Sequence, residues 1–95
     1  MKDKNETMKN SKQFEKYLKG LANCHRLDIL ILVSKSPGIT VDGISERIEC
    51  SFANTSSHTH RLVNAGLLNK KYSGRAVSHT ISPYGKKFLD FLETF

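Results

Sequence analysis

Apolar residues near the start of the chain recur with helical spacing. Phe14, Tyr17, Leu18 and Leu21 fall at i, i+3, i+4 and i+7, which predicts an amphipathic helix over 11–21. Gly20 and Asn23 mark a break after it. Leu27, Ile29, Leu30, Ile31, Leu32 and Val33 then form a nearly continuous apolar run. A buried strand reads this way too, but Arg26 and Asp28 near its start, and its total length, favour a central helix covered on most sides. Ser36-Pro37-Gly38 ends it, because proline and glycine together punctuate strongly.

The pattern then shortens. Thr40 is a plausible N-cap, with Asp42 in the first turn near the positive helix end. Val41, Ile44 and Ile48 keep a helical stripe over 41–49. Cys50-Ser51-Phe52 is a short turn, and a second helix follows over 53–65, closed by Gly66. Its inward stripe is Thr55, Thr59 and Leu62, and two threonines are an unusual core contribution. Residues 67–72 and 76–82 read as strands around a Ser73-Gly74-Arg75 turn. Ser82-Pro83 opens a last helix, serine as cap and proline at the first position, with Phe88, Leu92 and Phe95 as its stripe and Leu89 and Phe91 beside it.

The order is helix, helix, helix-turn-helix, hairpin, helix. The predicted fold class is α+β, mostly helical: a winged helix-turn-helix with four to five helices and a two-stranded β-hairpin wing. The short turn between the third and fourth helices sets the fourth across the third, so that it can lie in a major groove.

Charge sharpens this picture. The 95 residues carry a formal charge of +6 and a predicted pI of about 9.5. Cys50 to Leu89 holds Arg61, Lys70, Lys71, Arg75, Lys86 and Lys87 and no Asp or Glu, while the charges elsewhere cancel. A positive field concentrated on one helix and a hairpin is the footprint of a protein that meets phosphates. An anionic membrane surface would call for a basic amphipathic helix, which this arrangement lacks. The length is that of one domain, expected over 11–95, with residues 1–10 too polar to pack and expected to be a flexible tail. No apolar run reaches bilayer length and no signal-peptide core follows the start, so the expected address is the cytoplasm. No nucleophile-elbow or phosphate-loop pattern appears; neither an enzymatic activity nor a cofactor is expected.

With Thr55, Thr59 and Leu62 inward, Ala53, Ser57, His60 and Asn64 face outward, flanked by Asn54 and Arg61. Asn54, Ser56, Ser57, His58 and Arg61 are the residues placed against DNA: short side chains let the helix approach base edges, asparagine pairs bidentately with adenine and arginine with guanine. A merely solvated polar face is the plainer reading, and the absence of any acid tilts against it. Lys70, Lys71 and Arg75 suit phosphate or minor-groove contact, and lysines also protect an edge strand. Lys86 and Lys87 stand at a helix start, where cations are slightly disfavoured, which points them at something outside the fold. Cys24 and Cys50 are too few for a disulfide scaffold and are expected to be buried structural thiols. Cys24-His25 with Cys50, His58 or His60 matches no zinc spacing, so no metal site is expected. A thiol switch at Cys50, just before a helix N-terminus, is the minority reading.

Leu21-Ala22-Asn23-Cys24-His25-Arg26-Leu27-Asp28-Ile29-Leu30, Ile39-Thr40-Val41-Asp42-Gly43-Ile44-Ser45, the stretch from Ser51 to His58 with Leu62 and Ala65-Gly66-Leu67-Leu68, and the wing turn Gly74-Arg75 together resemble the ArsR-type transcriptional repressors, and Ser82-Pro83-Tyr84-Gly85-Lys86-Lys87 resembles the segment after the wing in the wider winged-helix regulators, including the MarR type. The resemblance covers residues 12–95. It implies a homodimer in which the first and last helices pair across a two-fold axis, with Phe14, Tyr17, Phe88, Leu92 and Phe95 at the interface. The metal sites of such sensors are not carried over: residues 41–45 hold no cysteine, and residues 84–95 hold no histidine and only Asp90 and Glu93 as acids. The expected function is sequence-specific binding of double-stranded DNA by a homodimeric regulator, a repressor by resemblance, with no known effector. The alternatives are a winged-helix protein-interaction module and a thiol- or ligand-sensing variant of the regulator.

Overall fold

In the computed structural model residues 9–95 are described. Residues 1–8 of the expected tail lie outside the described residues, but its last two belong to the fold. Asn10 caps the first helix, α1 (Ser11–Leu21), in a reciprocal box: its side chain accepts from the Gln13 amide at 2.9 Å and the Gln13 side chain accepts from the Asn10 amide at 2.8 Å. Lys9 reaches across to the far end of the chain, where its Nζ donates to the Tyr84 hydroxyl at 3.0 Å.

The apolar run is a helix, α2 (Cys24–Lys35), and begins earlier than its apolar residues do because the Asn23 side chain accepts from both the His25 and Arg26 amides. Ile29, Leu30 and Val33 are wholly buried, which makes α2 the post around which the rest packs. Two further helices follow, α3 (Val41–Ile48) and α4 (Phe52–Asn64), capped by Thr40 and Ser51 respectively. Ile44 from α3 and Leu62 from α4 enter the same core as α2. Thr55 and Thr59 are also buried there; Thr59 satisfies its hydroxyl by donating to the Ser56 carbonyl at 2.9 Å, which is how a threonine can occupy a core face.

The sheet departs from expectation. Strands β2 (Leu68–Ser73) and β3 (Ala76–Ile81) form the hairpin, with Leu68 opposite Ile81 and Ser73 opposite Ala76, so the turn narrows to Gly74-Arg75 with Gly74 at φ 63°. A third strand, β1 (Ile39–Thr40), pairs antiparallel with β3, giving the order β1-β3-β2. The wing is therefore part of a three-stranded sheet. Two residues between a turn and a helix cap are too few to show strand alternation, and Thr40 serves both as strand end and as cap.

The last helix, α5 (Pro83–Leu92), returns to the core beside α1. Where α4 ends, Gly66 adopts φ 83°, its amide bonding to the Val63 carbonyl and the Leu67 amide to the Leu62 carbonyl. This Schellman closure turns the chain at once into the buried Leu67 and Leu68.

Candidate nucleic-acid interface

Helix α4 presents Asn54, Ser57, His60, Arg61 and Asn64 to solvent, opposite Thr55, Thr59 and Leu62. Ser56 is half-buried, with its carbonyl engaged by Thr59. The wing carries Lys70, Lys71, Tyr72 and Arg75, all exposed. Lys70 lies over the Tyr72 ring, 5.4 Å from its centroid, which steadies a long side chain on an open strand. Arg75 and Phe52, at the start of α4, border one small cleft with Asp42, so the wing tip and the front of α4 lie side by side.

His58 is placed differently from its expected role. Its ring stacks on His25 at the start of α2, centroids 5.6 Å apart and planes 28° apart, and its Nδ1 is buried without a partner among the described residues. Burial, with Arg26, His25 and Arg61 behind it, pushes His58 below the ordinary histidine value. It packs α4 against α2. Arg26 donates from Nη2 to the Lys19 carbonyl at 3.4 Å, tying the end of α1 to the start of α2.

The charge pattern along the chain missed one group. Lys16 and Lys19 from α1 line a shallow hollow with Arg61 and Asn64 of α4. Sequence averaging cancels them against nearby acids, and Lys19 does pair with Glu15 at 3.3 Å on an exposed helix face, where such a pair contributes little. Their spacing of three on one helix was the available signal. Of the two lysines expected to serve something outside the fold, Lys86 pairs with Asp90 at 3.3 Å within α5. The other, Lys87, lies 5.6 Å from the Tyr84 ring centroid.

The cysteines are not the buried thiols expected: Cys24 is exposed and Cys50 half-buried. Cys24 is the first residue of α2, at a surface corner set by the Asn23 cap, and Cys50 sits in the turn before α4, so neither can reach the core that Leu30 and Ile44 fill. Among the described residues no three His, Cys, Asp or Glu side chains converge as a metal site would require. No helix among the described residues is long and apolar enough to cross a membrane.

Of the expected dimer residues, Tyr17 and Phe88 pack partly against the core. Phe14, Leu92 and Phe95 are exposed, as are Leu18 and Phe91; Phe95 is 89% exposed and stands edge-on to Phe91, with ring centroids 5.1 Å apart.

A search of protein-family models found no match, and a search of curated proteins found none either. Solved structures do match. Reduced HlyU from Vibrio cholerae N16961 is 31% identical over 95% of this chain and 95% of its own, with a TM-score of 0.79. A predicted DNA-binding transcriptional regulator from E. coli is 24% identical over 88% of this chain and 90% of its own, with a TM-score of 0.76. The homodimeric winged helix-turn-helix DNA-binding domain of Mb0332 from Mycobacterium bovis, a possible ArsR-family regulator, is 22% identical over 99% of this chain and 84% of its own, with a TM-score of 0.78. The fold and the exposed face of α4 define a winged helix-turn-helix of the kind found in transcriptional regulators. The chain belongs to the HlyU/ArsR family of those regulators.

Proposed function

We propose that the protein binds double-stranded DNA sequence-specifically as a homodimer and represses transcription from its site, working in the cytoplasm without enzymatic activity of its own. Residues 11–95 form the DNA-binding domain, and 1–10 precede it as a tail whose last two residues join the fold. The observation that carries the reading is the exposed face of α4. Asn54, Ser57 and Arg61 stand free on a helix whose opposite face is locked in the core, beside a wing bearing Lys70, Lys71 and Arg75, on a segment without a single acid. A rigidly backed helix can hold register in a major groove while the wing and Lys16 meet phosphates. Arg61 belongs with these cations, and His58 acts by positioning α4. The exposed Phe14, Phe91, Leu92 and Phe95 support pairing through α1 and α5, and the homodimeric Mb0332 domain supports the same assembly.

Selection of preferred duplexes from a random pool, followed by titration at rising salt, tests this. A preferred site that is bound with a steep negative dependence on salt is expected. Binding that is absent even at low salt would overturn the reading in favour of a protein-interaction module. Sedimentation as a monomer at tens of micromolar, on the order of a dimer's working range, would remove the homodimer.

A further inference from the structure

We propose that Phe52 reads the methyl group of a thymine in the major groove, so that each protomer selects a T·A pair beside the bases that Asn54 meets. The proposal rests on the DNA-binding reading above and adds an apolar contact to a face that reads as wholly polar.

Phe14, Leu18, Phe91 and Leu92 are exposed on α1 and α5, where the proposed pairing of two copies covers them. Phe52 is 55% exposed on neither helix. It is the first residue of α4, the helix that carries the candidate readout face. Its turn is held firmly. The Ser51 side chain accepts from the Asn54 amide at 3.1 Å, and the Ser51 carbonyl accepts from the amide of the wholly buried Thr55 at 2.9 Å. A phenyl ring therefore stands in water on a rigid turn at the front of the recognition helix.

In a helix-turn-helix complex the N-terminal residues of the recognition helix meet base edges. Phe52 is about 3 Å of helix rise from Asn54 and about 7.5 Å from Ser57, so all three fall within the same few base pairs. The polar atoms on those edges need hydrogen-bond partners, which a phenyl ring cannot supply. The thymine C5-methyl is the apolar group that the major groove offers, and it marks T·A off from the other pairs.

The neighbours of the ring favour the same occupant. Phe52 borders a cleft of about 140 Å³ with the half-buried Val41 and Val77 and the exposed Asp42 and Arg75. The cleft is too small for an organic ligand of its own and leaves room for a methyl group. The Asp42 carboxylate disfavours a phosphate against the ring. Arg75, on the wing turn, offsets that charge and is long enough to meet the backbone while the ring meets the base.

Replacing the thymines of the preferred duplex by deoxyuracil, one position at a time in both half-sites, tests this. The exchange keeps base pairing and removes only the methyl. At one position per half-site the intact chain should lose about fourfold in affinity, and about fifteenfold when both half-sites are changed, as expected for one lost apolar carbon in each. Phe52→Ala should bind the thymine and deoxyuracil duplexes equally, at about the parent's affinity for the latter, and Phe52→Leu should keep at least about a twofold preference for the methyl. Each ratio compares two duplexes with one protein, so a change in folded fraction does not move it. A parent chain indifferent to every deoxyuracil would overturn the proposal. So would a preference that persists in Phe52→Ala, which would assign the methyl to another side chain. Unchanged binding of all duplexes by Phe52→Ala would overturn it in favour of a contact with a partner protein. An intact chain that binds no duplex at any salt would bring down the DNA reading itself, a result distinct from duplex binding without a methyl preference.

Discussion

The Ser82 hydroxyl donates a 2.7 Å hydrogen bond to the Gly66 carbonyl while accepting one of 3.0 Å from the Gly85 amide. One buried side chain thus caps α5 and ties it to the end of α4. Ser82→Ala should remove the cap and leave the Gly66 carbonyl without that donor, at a cost of about 1–3 kcal/mol. Urea unfolding checks this. An unchanged midpoint would mean that water replaces both bonds without loss.

Gly85 sits where α5 presses on the chain leaving α4. A Cβ there would meet the Leu67 carbonyl and, at 2.8 Å, Ile81 Cγ1. Backbone cannot rotate away as a side-chain tip can, so Gly85→Ala should destabilise by about 1–3 kcal/mol through overpacking. Gly74→Ala is the informative contrast: nothing lies within 4 Å of its Cβ position, and only the positive φ of 63° penalises it, by about 1–2 kcal/mol. Combined with Ser82→Ala, the Gly74 change should add to it and the Gly85 change should not, since Gly85 shares the Ser82 hydroxyl.

Much of this was legible beforehand, for identifiable reasons. The helices of the reading head announced themselves through caps and stops that act locally: Thr40, the Gly66 closure, the Ser82-Pro83 start. The Gly74-Arg75 turn was equally local. Strand β1 was hidden because its partner is some forty positions away, Ile39 against His79. The candidate interface was legible as a charge pattern but not as a surface. Lys16 meets Arg61 only once α1 crosses α4, and His58 turns out to stack on His25 because α2 begins beside it. Lys9, placed in the tail by its polar neighbours, docks on a tyrosine at the other end of the chain.

Two histidines are pushed toward the neutral form. His58 lies below its ordinary value of 6.5 through burial and then Arg26, His25 and Arg61; His79 lies below it chiefly through burial, opposed by its backbone bond with Ile39 and reinforced by Lys70. In both the folded value is depressed, so between the two values the unfolded chain binds more protons. Stability is therefore full above the unfolded value of about 6.5 and falls as pH drops from there through the depressed folded values. Urea midpoints should decline below about pH 6.5, and His58→Gln should flatten part of that decline. A midpoint that rises on acidification would contradict the downward shift of both rings.

The proposed DNA contacts divide into positioning and readout. Arg75 stands on the wing turn rather than on α4, and in the proposed complex it meets phosphate, so Arg75→Ala should weaken binding to many duplexes about equally and reduce the salt slope by roughly one unit. Asn54 and Ser57 are short, exposed and backed by the buried Thr55 and Thr59, so their replacement by alanine should cost about 1–3 kcal/mol, mainly on the preferred site. His58→Ala should act through folding, since its ring is spent against His25: the unfolding midpoint should drop while the folded fraction keeps its sequence preference. Duplex titrations of the four variants, each corrected for folded fraction, distinguish these roles. If Arg75→Ala and Ser57→Ala both bind as the parent does, DNA meets another face of the molecule, and the hollow between Lys16 and Arg61 becomes the next surface to probe.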